Sequence, residues 1–117
     1  MISNETLRKP AETNYPIHEL ISERWSPRTF ADKPVEHEPL HSLFEAARWA
    51  ASGGNQQPWN FLFATKENAE DYARFTSLLW ERNAIWTQTA PVLVLVVTQL
   101  YTRPGTEVIS YYDTGMA

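Results

Sequence analysis

The chain has 117 residues, of which 43% are apolar, 13% aromatic and 21% charged: enough to bury one domain-sized core, and too apolar for disorder throughout. Fourteen acidic against ten basic side chains give a net charge of −4, which argues against nucleic acid as a partner. There is no cysteine, so disulfides, thiolate metal sites and cysteine nucleophiles are excluded, and no run of about 18 apolar residues exists to cross a membrane.

Residues 1–16 are polar, with Pro10 and Pro16 near their end, and read as an arm. They lack the apolar core of a signal peptide, which points to a cytoplasmic protein. Ile17, Leu20 and Ile21 share one face of a short helix over residues 17–23. Pro27 then holds Ser26 extended, so residues 24–28 leave that helix. Asp32 to Pro39 is a connector. Leu40, Leu43, Phe44, Ala47 and Ala50 recur at helical spacing, with Pro39 suited to the first helical position and His37 left outside. That helix ends near Ala51, where Ser52-Gly53-Gly54-Asn55 is loop chemistry.

Residues 59–65 (WNFLFAT) predict a strand. Asn68 is placed to cap a helix from Ala69 to about Arg82, with Tyr72, Phe75, Leu78 and Leu79 as its buried stripe. Pro91 opens the run Val92 to Val97, which has the pattern of a strand buried on both faces. A turn through Arg103-Pro104-Gly105 leads to a last helix from about Glu107. The order predicts an α+β domain with helices covering a sheet.

Three constellations carry chemistry. In Arg24-x-Ser26-x-Arg28 two guanidiniums and a hydroxyl alternate along an extended segment and can converge on one anion. The competing reading is a solvated turn. In Ser52-Gly53-Gly54-Asn55-Gln56-Gln57-Pro58-Trp59 the glycines admit close backbone approach, and the amides offer donors and acceptors to a flat heterocycle. A helix C-cap followed by a strand-entry turn explains the glycines equally and the Asn-Gln-Gln run less well. His37-Glu38-Pro39-Leu40-His41 fits the letters of a zinc-protease motif, but the proline and the lack of a third ligand predict no metal site. Trp49, Trp59, Trp80 and Trp86 lie on or beside apolar stripes and are expected in core or interface.

Four stretches, in order, resemble the N-terminal part of the nitroreductase family of FMN-dependent NAD(P)H oxidoreductases: Glu23 to Phe30, Leu43 to Phe61, Ala90 to Val97 and Tyr111 to Ala117. The resemblance implies an α/β sandwich whose central, mainly antiparallel sheet is flanked by helices, here incomplete at the C-terminus over residues 17–117. It implies a homodimer with FMN sites at the interface. Arg24, Ser26 and Arg28, with the Trp25 backbone, would hold the phosphate, ribityl chain and pyrimidine edge. Ala51, Ser52, Gly53, Asn55 and Gln57 would reach the flavin of the other subunit, with alanine where many members have proline. Asn83 would lie at the pyrimidine edge. The implied mechanism is ping-pong: NADH or NADPH passes hydride to flavin N5, then a nitroaromatic, quinone or similar small-molecule acceptor takes its place. No side chain need act as a strong acid or base, and no metal is involved. Alternatives are a flavin-binding relative with other chemistry such as dehalogenation, and a truncated, non-catalytic fragment. The 117-residue chain alone is expected to hold FMN weakly or not at all and to be inactive.

Overall fold

A computed structural model describes residues 9–101 and 105–117. The first half of the expected N-terminal arm, and Arg103 and Pro104 of the expected turn, lie outside the described residues. The elements are α1 (Glu19–Ser22), α2 (His37–Arg48), a 3₁₀ turn at Gly53–Asn55, β1 (Trp59–Thr65), α3 (Ala69–Ser77), α4 (Glu81–Thr87), β2 (Val92–Thr98) and α5 (Glu107–Met116).

β1 and β2 pair antiparallel, with Trp59 opposite Thr98 and Thr65 opposite Val92. Side chains alternate across a strand, so Phe61 and Phe63 share one face with Val94 and Val96. On that face Phe44 of α2 meets both rings, at centroid distances of 5.4 and 5.7 Å. Ala64, on the other face, is 2% exposed, and α3 packs along both strands. The buried apolar set is Leu40, Ala47, Trp59, Ala64 and Ala90. Tyr72 fastens α3 to the end of α4, its hydroxyl donating to the carbonyls of Thr87 (3.0 Å) and Ala90 (2.7 Å). Burial raises the pKa of this phenol.

Four expectations need correction. β2 has the pattern of a strand buried on both faces but is not so buried: Val94, Leu95, Val96 and Val97 are each exposed by more than a third, as an incomplete sheet implies, because one helix cannot cover a sheet face. The helix expected from Ala69 to Arg82 is two helices. Asn68 caps the first as expected, its side chain accepting from the Asp71 N–H. Thr76 and Ser77 then donate their hydroxyls to the carbonyls of Tyr72 and Arg74, which competes with continued helix, and the chain tightens through Leu78 and Leu79. The third correction concerns α2, which begins at His37, two residues earlier than expected. Pro39 occupies its third position, where the missing N–H is still one of the unpaired first-turn donors. Finally, core placement fails for Trp49 and Trp80, which are 76% and 84% exposed, whereas Trp59 is buried; the interface alternative for those two stands as an expectation.

On α2, Glu45 accepts a forked pair of bonds from Arg48 (2.7 and 3.0 Å) and a third from the Trp49 indole (3.0 Å). The Arg48 bonds, then the indole, hold its carboxyl down at about 2, against an ordinary value of 4.5. A depressed carboxyl supports the fold above its unfolded pKa and loses that support as pH falls through the folded one. A carbon-13 carboxyl titration is therefore expected to show Glu45 with a midpoint near 2; a midpoint near 4.5 contradicts the fork.

Candidate functional site

Two groups of candidate residues hang on different supports. The first follows α1. Residues 24–28 run as irregular backbone, with Arg24, Ser26 and Arg28 exposed. One end is held by the Arg24 N–H on the Ile21 carbonyl (3.4 Å). Just beyond the other end the Phe30 N–H donates to Thr89 Oγ1 (3.2 Å). The Phe30 ring also stacks on Trp86 of α4, centroids 6.3 Å apart. Lys9 Nζ lies 5.2 Å above the Trp25 ring. Asn83 is exposed on α4, one turn before Trp86, so the arginine segment and Asn83 share α4 as their anchor.

The second group is the loop 52–57, between α2 and β1. Ala51 is exposed and Ser52 half-buried. Ser52 closes the loop twice. Its carbonyl accepts from the Asn55 N–H (3.0 Å), and its hydroxyl oxygen accepts from the Gln57 N–H (3.0 Å). The Gln57 amide donates to Asn55 Oδ1 (3.2 Å). Gly54, Asn55 and Gln57 have φ of 59°, 55° and 48°, in the left-handed region that L side chains rarely occupy. Each such non-glycine residue costs on the order of 1–3 kcal/mol, and this kind of strain gathers at ligand sites.

The two glycines of the loop differ, which makes a discriminating pair. A Cβ on Gly53 would make ordinary contacts at 3.5 and 3.6 Å, whereas Gly54 needs its positive φ. Gly54→Ala is expected to lower stability by about 1–2 kcal/mol in denaturant unfolding. Gly53→Ala should stay within about 0.5 kcal/mol. Equal losses would contradict the backbone assignment.

The loop is tied across the molecule. Asp113 of α5, 6% exposed, accepts from the Gly53 N–H (2.8 Å) and from the Tyr101 hydroxyl (2.5 Å) at the same oxygen, Oδ2. Burial, then the bond to Asp113 and its charge, push the Tyr101 phenol up to about 12. The Tyr101 N–H donates to Ser110 Oγ (2.9 Å), and Ser110 is fully buried. Sequence reasoning placed Asp113 in a matching stretch without a role and did not mark Tyr101 or Ser110. The available signal was a carboxylate in the middle of a short helix whose interior is otherwise uncharged and rich in apolar and aromatic residues.

The zinc-protease lettering resolves differently from expectation in one respect. Both histidines lie on α2, their ring centroids 6.3 Å apart. Among the described residues no group of three His, Cys, Asp or Glu is placed to hold a metal ion. A groove of about 110 Å³ is lined by residues such as Pro34, Val35, Lys66 and Pro91 and contains none of the candidate residues.

Comparison with known proteins bears on these two groups. The model of the nitroreductase family matches residues 21–94. A candidate NADH dehydrogenase/NAD(P)H nitroreductase of Xanthomonas oryzae pv. oryzae is 40% identical over 67 residues, which cover 57% of this chain and 33% of that protein. A solved oxidoreductase containing FMN superposes with a TM-score of 0.70 at 32% identity, over 90% of this chain and 59% of that one. A nitroreductase-like family protein from Bacillus cereus gives a TM-score of 0.68 at 27% identity, over 91% of this chain and 62% of that one. The chain thus spans less than two thirds of the length of these relatives.

Proposed function

The chain belongs to the nitroreductase family, and from that premise we propose that it supplies FMN-contacting residues of an NAD(P)H-dependent oxidoreductase acting on nitroaromatics, quinones or similar planar electrophiles. Residues 17–117 are, in this reading, the N-terminal part of the nitroreductase-like domain. The observation that carries the proposal is the loop 52–57, whose left-handed residues are held by internal bonds while Asn55 stays exposed. A chain keeps such strain where the resulting shape serves a ligand.

The residues present fit the flavin. Arg24, Ser26 and Arg28 are exposed and provide charged donors for a phosphate and a polar ring edge. The Trp25 backbone joins them. Gly54 has no heavy atom closer than 3.8 Å to the position of a Cβ, so a planar ring can approach backbone there. Ala51, Ser52, Gly53, Asn55 and Gln57 present amide and backbone groups to that ring, and Asn83 adds a further amide. When bound, FMN supplies the hydride chemistry between a reduced nicotinamide and the acceptor. The chain's own part is to bind, orient and place positive charge: Arg28 near the pyrimidine edge favours the negative charge that reduction brings.

The chain carries more surface than a complete domain of its size, as expected of a part that further structure covers. The chain exposes 10097 Å², whereas a folded monomer of 13.5 kDa exposes about 6,500 Å². Its radius of gyration, 17.1 Å, exceeds the roughly 13 Å of a compact chain of this length. Such an excess is surface that the rest of the domain, and after it a second copy, would cover. In a homodimer each FMN would meet the arginine segment of one protomer and the loop 52–57 of its partner. A cytoplasmic location belongs to the same proposal.

The test is oxidation of NADH or NADPH with excess FMN and a nitroaromatic or quinone acceptor, using protein in its assembled form. Oxidation that requires both FMN and acceptor is expected of the whole nitroreductase-like domain, and not of the 117-residue chain by itself. Halide release from a halogenated aromatic offered in place of the acceptor, without nitro reduction, would point to dehalogenation, and FMN-independent background rates alone would contradict the oxidoreductase reading.

A further inference from the structure

Asp113 is buried in α5, and its Oδ2 collects the Gly53 N–H at 2.8 Å and the Tyr101 hydroxyl at 2.5 Å. A carboxylate so poorly exposed is rare unless its oxygens are paired, and bonds to an ionised acceptor are the strong ones. Its partner Gly53 is 60 residues away in sequence and opens the strained loop. Left-handed residues persist only where their surroundings over-determine them. The bonds within the loop close it on itself, but the Asp113 bond fixes where the closed loop stands relative to β2 and α5. Tyr101 follows β2 and is held twice, by Asp113 through its hydroxyl and by buried Ser110 through its N–H. Loop, strand exit and α5 therefore form one bracket with Asp113 at its centre.

We propose that Asp113 is a positioning residue for the cofactor loop: its carboxylate, braced by Tyr101, sets the stance of residues 52–57 through the Gly53 N–H. The proposal rests on the reading of that loop as a flavin contact. Asp113 does not touch the ligand; it acts through Gly53. Losing it leaves the loop closed by Ser52 but free to swing, so Asn55 and Gln57 present their amides in many orientations. Displacement of a positioned group by about an ångström weakens ligand contacts by an order of magnitude or more.

The test compares the full chain with Asp113→Ala, Asp113→Asn and, as a control of core loosening away from the loop, Leu40→Ala. Two quantities are read well below each variant's Tm: hydrogen exchange at the Gly53 amide and the Kd for FMN. Asp113→Ala is expected to speed Gly53 exchange and to raise Kd, each by about tenfold or more. Asp113→Asn keeps a neutral acceptor and should restore Kd to within about threefold of the parent. Leu40→Ala, which lowers stability without touching the loop, should leave Kd unchanged. Equal Kd losses in Asp113→Ala and Leu40→Ala, or unchanged Gly53 exchange in Asp113→Ala, overturn the proposal. If Asp113→Ala does not fold, Tyr101→Phe replaces it: removing the brace should speed Gly53 exchange, and no change overturns. Should the parent chain take up no FMN, which agrees with the expectation for this chain alone, the Kd comparison falls away. The bracket is then decided by Gly53 exchange alone, faster exchange in the variant supporting it and unchanged exchange overturning it.

Discussion

Replacing Arg28 with alanine is expected to weaken FMN binding by about 10- to 100-fold, the loss of one charge-assisted contact worth roughly 1.5–3 kcal/mol. Arg28 lies in a segment without helix or strand, exposed, and two residues from Ser26. Its guanidinium therefore contributes little to the fold, and the unfolding midpoint of the variant should stay close to that of the parent. That separation makes the experiment decisive: affinity falls and stability does not. Arg24→Ala should behave similarly, with a weaker dependence on salt than the parent, because one fewer charge faces the phosphate. Affinity unchanged in both variants would remove the arginine segment from the site.

The largest loss of stability is expected for Trp59→Ala, at about 3–5 kcal/mol, since truncating a buried tryptophan combines lost burial with a cavity. Trp59 is 8% exposed at the head of β1, and among the described residues few other apolar side chains are buried as deeply. A domain with a total stability of about 5–15 kcal/mol tolerates such a loss poorly. The position also matters for the site. The preceding Pro58 is buried, and its carbonyl accepts from the Gln99 N–H at 2.7 Å, so the strand entry that carries loop 52–57 is pinned beside β2. Trp80→Ala, at a residue 84% exposed, should change stability by less than about 0.5 kcal/mol. Denaturant unfolding of the two variants side by side checks the contrast, and similar shifts would contradict the burial pattern.

Local chemistry made part of this legible. Residues 59–65 announce a strand because an aromatic, apolar run follows Pro58, and Asn68 announces a helix because its side chain can reach the Asp71 N–H. The helix break at Leu78 was hidden: Thr76 and Ser77 are tolerated in helices, and only their bonds back to Tyr72 and Arg74 reveal competition with the backbone. Burial was legible for Trp59 and not for Trp49 or Trp80, whose apolar neighbours in sequence do not fix what covers them. The site divides the same way. Arg24, Ser26 and Arg28 stand out by alternation, and loop 52–57 by its glycines and amides. The left-handed φ of Asn55 and Gln57, and the bond from Gly53 to Asp113, depend on residues brought together by folding and have no local signature.

The most direct test of the account is mapping FMN onto the chain by backbone amide chemical shifts. With rising FMN, the largest changes are predicted at residues 24–28, at 52–57 and at Asn83, saturating weakly and together. Saturable changes confined elsewhere, such as the groove around Pro34, Val35 and Pro91, would contradict it.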